Sequence, residues 1–334
     1  VKHPTRLTRA LGFAAGAAAL LAAFVAASEP GGGRVLGPSS SPVHTGNLDV
    51  QYFRLLPTSP DTTYRLLAIP VRFPEDGNLG GGDLDARLNG ETPDALRGYY
   101  QAATWSRLRI ETTVATEVVA DHPMAYYATY EDGRSHYGLD PRAYPRNAQG
   151  LVEEVTYKVQ DAVDLKKFDN TRDGFADGVL VLHSGPSTPE GPAASPPPGT
   201  LLDHSFTVST PQVRGSGIIF PYALASTRSA IGPWAHETGH LFGFPDLYVD
   251  NPFPLCPPEG VGEWSLMATG ANRENGTDPS GLDAFTRQLL CLRATFALGS
   301  PVLKEAGTFL RVYRPGETLG PRYFLVERQD GAND

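Results

Sequence analysis

The arrangement of apolar and polar positions divides the chain into short, well-separated elements. Arg65-Leu66-Leu67-Ala68-Ile69-Pro70-Val71-Arg72-Phe73 is nearly continuous in apolar residues and closes on Pro74-Glu75-Asp76-Gly77, a turn sequence. It predicts a strand over 65–73, followed by a Gly-rich loop over 77–82. Helical spacing begins at Thr92-Pro93-Asp94, with Thr92 as N-cap and proline just inside, and places Ala95, Tyr99, Ala102 and Ala103 along one side. Leu108 to Val119 alternates through Ile110, Thr112 and Val114 and predicts a second strand. Val152 to Val163 returns to helical spacing through Val155, Val159 and Val163. Gly178 to His183 is apolar throughout, the pattern of a strand covered on both faces. His204 precedes an alternating strand, Phe206 to Ser209, and reads as a structural histidine, with a place at the cleft rim as the alternative. A last helix is predicted over about Leu282–Leu292. Together these elements predict an α+β domain with a mixed sheet over 61–300.

The ends differ from this middle. Lys2, Arg6 and Arg9 precede an apolar run from Ala10 to Ala27, and Ala26-Ala27-Ser28 offers small residues for cleavage. Residues 1–28 therefore read as a secretory signal peptide, which implies an extracellular protein with no stable membrane association after cleavage; a membrane anchor is the alternative, for which the alanine-rich run is barely long enough. Residues 29–60, rich in Gly, Pro, Ser and Thr, read as a linker or short pro-segment. Residues 185–200 read as a surface insertion, and 301–334 as the start of a C-terminal β region.

Composition narrows the choice of partners. Lys plus Arg is 28 against 37 Asp plus Glu, a net charge of -9, and no basic stripe stands out. Nucleic acid is therefore not an expected partner. The two cysteines, Cys256 and Cys291, are too few for a zinc ribbon. They read either as one disulfide or as two separate thiols. A monomer is expected.

The chemistry concentrates in His236-Glu237-Thr238-Gly239-His240, followed by Gly243 and Asp246. Residues four apart on a helix share a face, so His236 and His240 can offer two imidazole nitrogens to one metal ion. Catalytic zinc takes three protein ligands and keeps one open position. Gly243 permits a sharp turn that returns Asp246 as the third ligand. Glu237, beside the metal but not bound to it, is placed for general-base work. Pro233 is awkward in a helix interior, so the helix is expected to run from Pro233 to Phe242 with Gly232 as N-cap. A second candidate is the stretch Asp169 to Asp177. Oxygen-bearing side chains at Asp169, Thr171, Asp173 and Asp177, with Gly174 at the sixth position, match the first part of a calcium loop. Leu180 stands where the closing glutamate is expected, and an Asp-rich turn capping the next strand is the alternative.

These residues also carry a family resemblance. The long histidine motif followed by Met267 resembles the metzincin clan of zinc proteases, in which a methionine turn lies under the metal. More narrowly, Gly243-Phe244-Pro245-Asp246-Leu247-Tyr248 and Gly262-Glu263-Trp264-Ser265-Leu266-Met267-Ala268-Thr269-Gly270 resemble the immune inhibitor A family of secreted bacterial metalloproteases. Tyr99-Tyr100, the Asp169 to Asp177 loop, Pro279-Ser280-Gly281-Leu282-Asp283-Ala284-Phe285 and Tyr323-Phe324-Leu325-Val326-Glu327-Arg328 fit the same family. The resemblance implies zinc on His236, His240 and Asp246, Glu237 as general base, Met267 beneath the site, and protein or peptide substrates. It departs where a tyrosine commonly follows the turn methionine by two residues. Thr269 stands there, which leaves Tyr248 as the candidate oxyanion stabiliser. A zinc endopeptidase is the reading that results. The alternatives are a metal-stabilised binding or adhesion module, against which Glu237 argues, and a zinc amidase acting on cell-wall peptides.

Overall fold

The computed structural model of the chain describes residues 34–40, 51–56, 62–188, 197–248, 260–290, 294–296, 309–313 and 323–327. At its centre is a mixed sheet of β1 (Thr62–Arg72), β2 (Leu108–Val114), β3 (Val179–His183), β4 (His204–Arg214) and β5 (Gly217–Ser226). Their spatial order is β4-β5-β3-β1-β2. The four strands β5, β3, β1 and β2 run parallel. The edge strand β4 pairs antiparallel with β5. Among the helices are α1 (Leu84–Asn89), α2 (Leu96–Ala103), α3 (Ala148–Val159), α4 (Ile231–Leu241) and α5 (Ala284–Leu289). The expected mixture of sheet and helices is present.

The two-residue period of a strand explains how the sheet is covered. Leu66 and Ala68 of β1 and Leu180 and Leu182 of β3 pack with Leu88, Leu96, Tyr100, Trp234 and Leu241, so α1, α2 and α4 share one face. Leu67, Ile69 and Val71, with Val179 and Val181, pack with Leu151, Val152, Val155 and Val159 of α3 on the other. All five residues of β3 are buried. A strand between two helical layers has no solvent side, which is why β3 reads as a continuous apolar run. Each fully buried Leu, Val or Ile contributes about 1.5–3 kcal/mol.

Boundaries shift where polar groups do structural work. α2 starts at Leu96, not near Thr92, because Thr92 closes a turn by accepting from the Ala95 amide at 2.9 Å. α3 starts at Ala148, with Asn147 as N-cap accepting from the Gly150 amide. Its early polar residues are buried by bonding to β4. Gln149 donates to the Thr207 carbonyl at 2.8 Å, and Glu153 accepts from the Ser209 amide at 3.0 Å and hydroxyl at 2.6 Å. An apolar-periodicity reading overlooks such positions. The predicted strand 108–119 breaks after Val114 and resumes at Val118–Val119, both parts pairing with β1. The strand expected over Phe206–Ser209 extends to Arg214.

Within 29–60, Arg34–Ser40 pairs antiparallel with Gln51–Leu56. Near the C-terminal end, Ala294–Phe296, Phe309–Tyr313 and Tyr323–Glu327 form a separate three-stranded sheet. The expected signal peptide, both cysteines and residues 189–196 of the expected insertion lie outside the described residues. Among the described residues no helix is long and apolar enough to cross a membrane.

Candidate metal centre

α4 runs through the whole histidine motif, and every one of its residues is buried. It begins at Ile231 after Ala230, two residues earlier than expected. Pro233 then sits in the first turn, where a backbone N–H has no intrahelical partner to lose, so the ring is tolerated. The helix ends as the motif requires. Gly243 takes φ +87°, a left-handed conformation that favours glycine. The Gly243 amide bonds the His240 carbonyl at 2.9 Å, and the Phe244 amide bonds the Gly239 carbonyl at 3.2 Å. These two bonds make a Schellman cap. The reversed chain then brings Asp246 back to the histidines.

The three side chains close a small triangle. His236 Nε2 lies 3.2 Å from His240 Nε2. Asp246 Oδ1 lies 3.1 Å from His236 Nε2 and 3.3 Å from His240 Nε2. Donors bound to tetrahedral zinc at its usual bond lengths sit about 3.3–3.4 Å apart, so the triangle has the size zinc demands. Among the described residues this is the one group of three or more His, Cys, Asp or Glu placed to hold a metal. Each imidazole is oriented by a carbonyl on its far nitrogen. His236 Nδ1 pairs with Leu266 O and His240 Nδ1 with Phe244 O, each at 2.8 Å. With Nδ1–H donating to those carbonyls, both Nε2 lone pairs face the triangle, the arrangement of metal-binding histidines. The Asp246 carboxylate is only 4% exposed, and neither of its oxygens has a hydrogen-bond partner among the described residues. Burial pushes its pKa up, but without a metal the two neighbouring imidazoles, when protonated at Nε2, outweigh this and hold it below the usual carboxylate range. Two lone pairs and a buried carboxylate meeting at this distance fit a cation.

The site is braced from behind. A Cβ on Gly239 would come within 2.8 Å of Met267 Sδ, 3.1 Å of the Phe244 ring and 3.2 Å of the Tyr100 hydroxyl. Only glycine lets three elements close on this turn of the helix. Tyr100 donates from its hydroxyl to the Ala235 carbonyl at 2.6 Å. Burial is the main cause that raises its pKa well above the ordinary value, and nearby Tyr99, Tyr64 and Glu237 add to it, so the phenol stays protonated. Glu237 is buried beside His236, on the same helix.

Residues 202–295 match the family model described as immune inhibitor A peptidase M6, catalytic domain. The resemblance read from the motifs is borne out. Immune inhibitor A of Bacillus thuringiensis subsp. alesti is 24% identical to this chain over 231 residues, covering 60% of the chain and 32% of that relative. The chain thus spans about a third of the relative's length. The matched description is that of a peptidase catalytic domain. The M6-like segment carries α4, all three members of the triangle, and Met267.

Tyr248, the candidate oxyanion group, is buried, and its ring stacks on that of His236 at 6.3 Å between centroids. His204 is buried, with Nδ1 2.8 Å from Leu202 O and Nε2 3.0 Å from the Tyr222 hydroxyl, as the structural reading expects. The Asp169 to Asp177 loop turns its carboxylates on its own backbone. Asp169 accepts from the Asp173 and Gly174 amides, Asp173 from the Phe175 amide, and Asp177 from the Thr171 amide. The acidic side chains there act as turn caps.

Sequence reading missed several residues that hold the site. Arg87 of α1 stacks its guanidinium 3.9 Å over Trp234 and donates to the carbonyls of Gly81, Thr227 and Ser229. Buried Asp203 accepts from the Ser226 amide and the Ser229 hydroxyl. Both pin the loop that leads into α4. Ser265 and Asp283 sit inside two of the stretches that carried the family resemblance, which was the one available signal for them.

Proposed function

We propose that the chain is a secreted zinc-dependent endopeptidase of metzincin-like build. His236 Nε2, His240 Nε2 and the Asp246 carboxylate would hold the ion, and Met267 packs under the helix that carries the histidines. Bound zinc supplies polarisation of the scissile carbonyl and a water of near-neutral pKa. Glu237 takes the proton of the attacking water and delivers it to the leaving amine. The carbonyls of Leu266 and Phe244 keep each histidine presenting Nε2. Tyr248, stacked on His236, is the candidate donor to the developing oxyanion. Substrates would be proteins or peptides.

The observation that supports this reading most is the buried triangle of 3.1–3.3 Å next to a buried glutamate that is not part of it. Among the described residues the Asp169 to Asp177 loop gathers no group of ligands placed to hold a metal, so zinc is the one metal proposed. The test is cleavage of casein by purified protein, with and without a chelator, beside Glu237→Ala. Chelator-sensitive cleavage that Glu237→Ala abolishes is expected. Cleavage that survives either treatment would sink the mechanism.

A further inference from the structure

One short strip touches both segments that carry the proposed ligands, α4 and the turn at Asp246. The Leu266 carbonyl takes the Nδ1 side of His236 at 2.8 Å. The Met267 carbonyl accepts from the Leu247 amide at 2.7 Å, one residue beyond Asp246. Met267 Sδ presses on the helix at Gly239. A displacement of residues 265–267 therefore moves both His236 and the Asp246 turn.

The strip is itself held from one place. Ser265 is fully buried, and its hydroxyl bonds in both directions. It accepts from the Met267 amide at 3.1 Å and donates to Asp283 Oδ2 at 2.6 Å. Asp283 in turn caps the start of α5, accepting from the Phe285 amide at 2.8 Å and the Thr286 amide at 3.2 Å through Oδ1. A hydroxyl has one proton to give, and here it goes to a carboxylate, which makes a strong charge-assisted bond.

We infer that Ser265 and Asp283 are positioning residues for the metal centre, acting through the Leu266 and Met267 carbonyls on His236 and on the Asp246 turn. The inference rests on the zinc reading above. Partners of metal-binding histidines set ring orientation and basicity, and losing one typically weakens metal binding about 10- to 100-fold. Asp283 lies one step further out and sets where such a partner sits.

The test compares zinc affinity, by competition with a chromophoric chelator, and the visible spectrum of the cobalt-substituted protein. The variants are Ser265→Ala and Asp283→Asn. The asparagine keeps an Oδ1 for the α5 amides but cannot accept the Ser265 proton, which guards against simple loss of fold. Asn147→Ala removes the N-cap of α3 on the opposite face of the sheet and controls for general destabilisation. Both site variants are expected to bind zinc roughly 10-fold or more weakly and to shift the cobalt spectrum. Asn147→Ala is expected to melt earlier yet match wild type in both readouts. Wild-type zinc affinity and spectrum in Ser265→Ala and Asp283→Asn would overturn the positioning role alone. A wild type that binds no zinc would overturn the zinc reading and the inference with it.

Discussion

Two acidic regions of this molecule invite a metal, and they differ in what their oxygens already do. In the Asp169 to Asp177 loop the carboxylates accept from the amides of Thr171, Asp173, Gly174 and Phe175. At the end of α4 the Asp246 carboxylate is buried and faces two imidazole nitrogens instead of amides. A buried carboxylate without hydrogen bonds is costly unless something else compensates it. A carboxylate that caps its own turn, as buried Asp177 and the more exposed Asp169 and Asp173 do, already has hydrogen bonds. The difference teaches that residue types at metal-like spacing are weak evidence alone, and that the bonding state of the oxygens discriminates between the two sites.

The comparison can be broken most severely at Glu237. Glu237→Gln is expected to lower kcat by about 10²–10⁴-fold while zinc content stays that of wild type. A near-normal kcat, measured on a quenched peptide, would remove the feature that separates a catalytic from a structural site. Gly239→Ala comes next. Its methyl must displace Met267, Phe244 or Tyr100, and overpacking of this kind costs about 1–3 kcal/mol. Thermal melting should record the loss, with zinc affinity falling alongside.

A smaller effect concerns His183, buried on β3 with neither ring nitrogen hydrogen-bonded among the described residues. Burial, with lesser contributions from His204 and Arg228, lowers its pKa to about 3. The unfolded chain takes up a proton near pH 6.5 that the folded chain refuses. Stability from this group is therefore intact above pH 6.5 and lost as pH falls below it, at up to about 1.4 kcal/mol per pH unit. Denaturant melts of wild type and His183→Gln between pH 7 and 5 should show the shallower slope in the variant. Smallest of all is Asp169→Asn, expected to cost about 1 kcal/mol through a weakened turn. It should leave zinc content and peptidase activity untouched, and added calcium should not shift the melting of either protein. A calcium-dependent rise in wild-type melting temperature alone would return the loop to the metal-binding class.

Much of this was legible in the chain because local rules govern it. β3 follows from an apolar run with no polar face, and the pairing of His236 with His240 follows from helical spacing. The left-handed turn at Gly243 follows from glycine's freedom. The misplaced starts of α2, α3 and α4 share another cause. Polar or imino residues near those starts are satisfied by a local turn at Thr92, by contacts of α3 to β4, or by the open first turn of α4, and periodicity is blind to all three. The braces were the least legible. The bond of Arg87 to Thr227 spans 140 residues and that of Tyr100 to Ala235 spans 135. No local pattern marks an arginine, a serine or an aspartate as the partner of a distant carbonyl or hydroxyl.

The central claim is that His236, His240 and Asp246 together hold one zinc ion. It is tested most directly by titrating metal-free protein with zinc, wild type beside Asp246→Ala, and counting bound ions per chain. Tight binding of one ion by wild type and a large loss of affinity in the variant are expected. Equal affinity in the two proteins, or no tight binding by wild type, would contradict it.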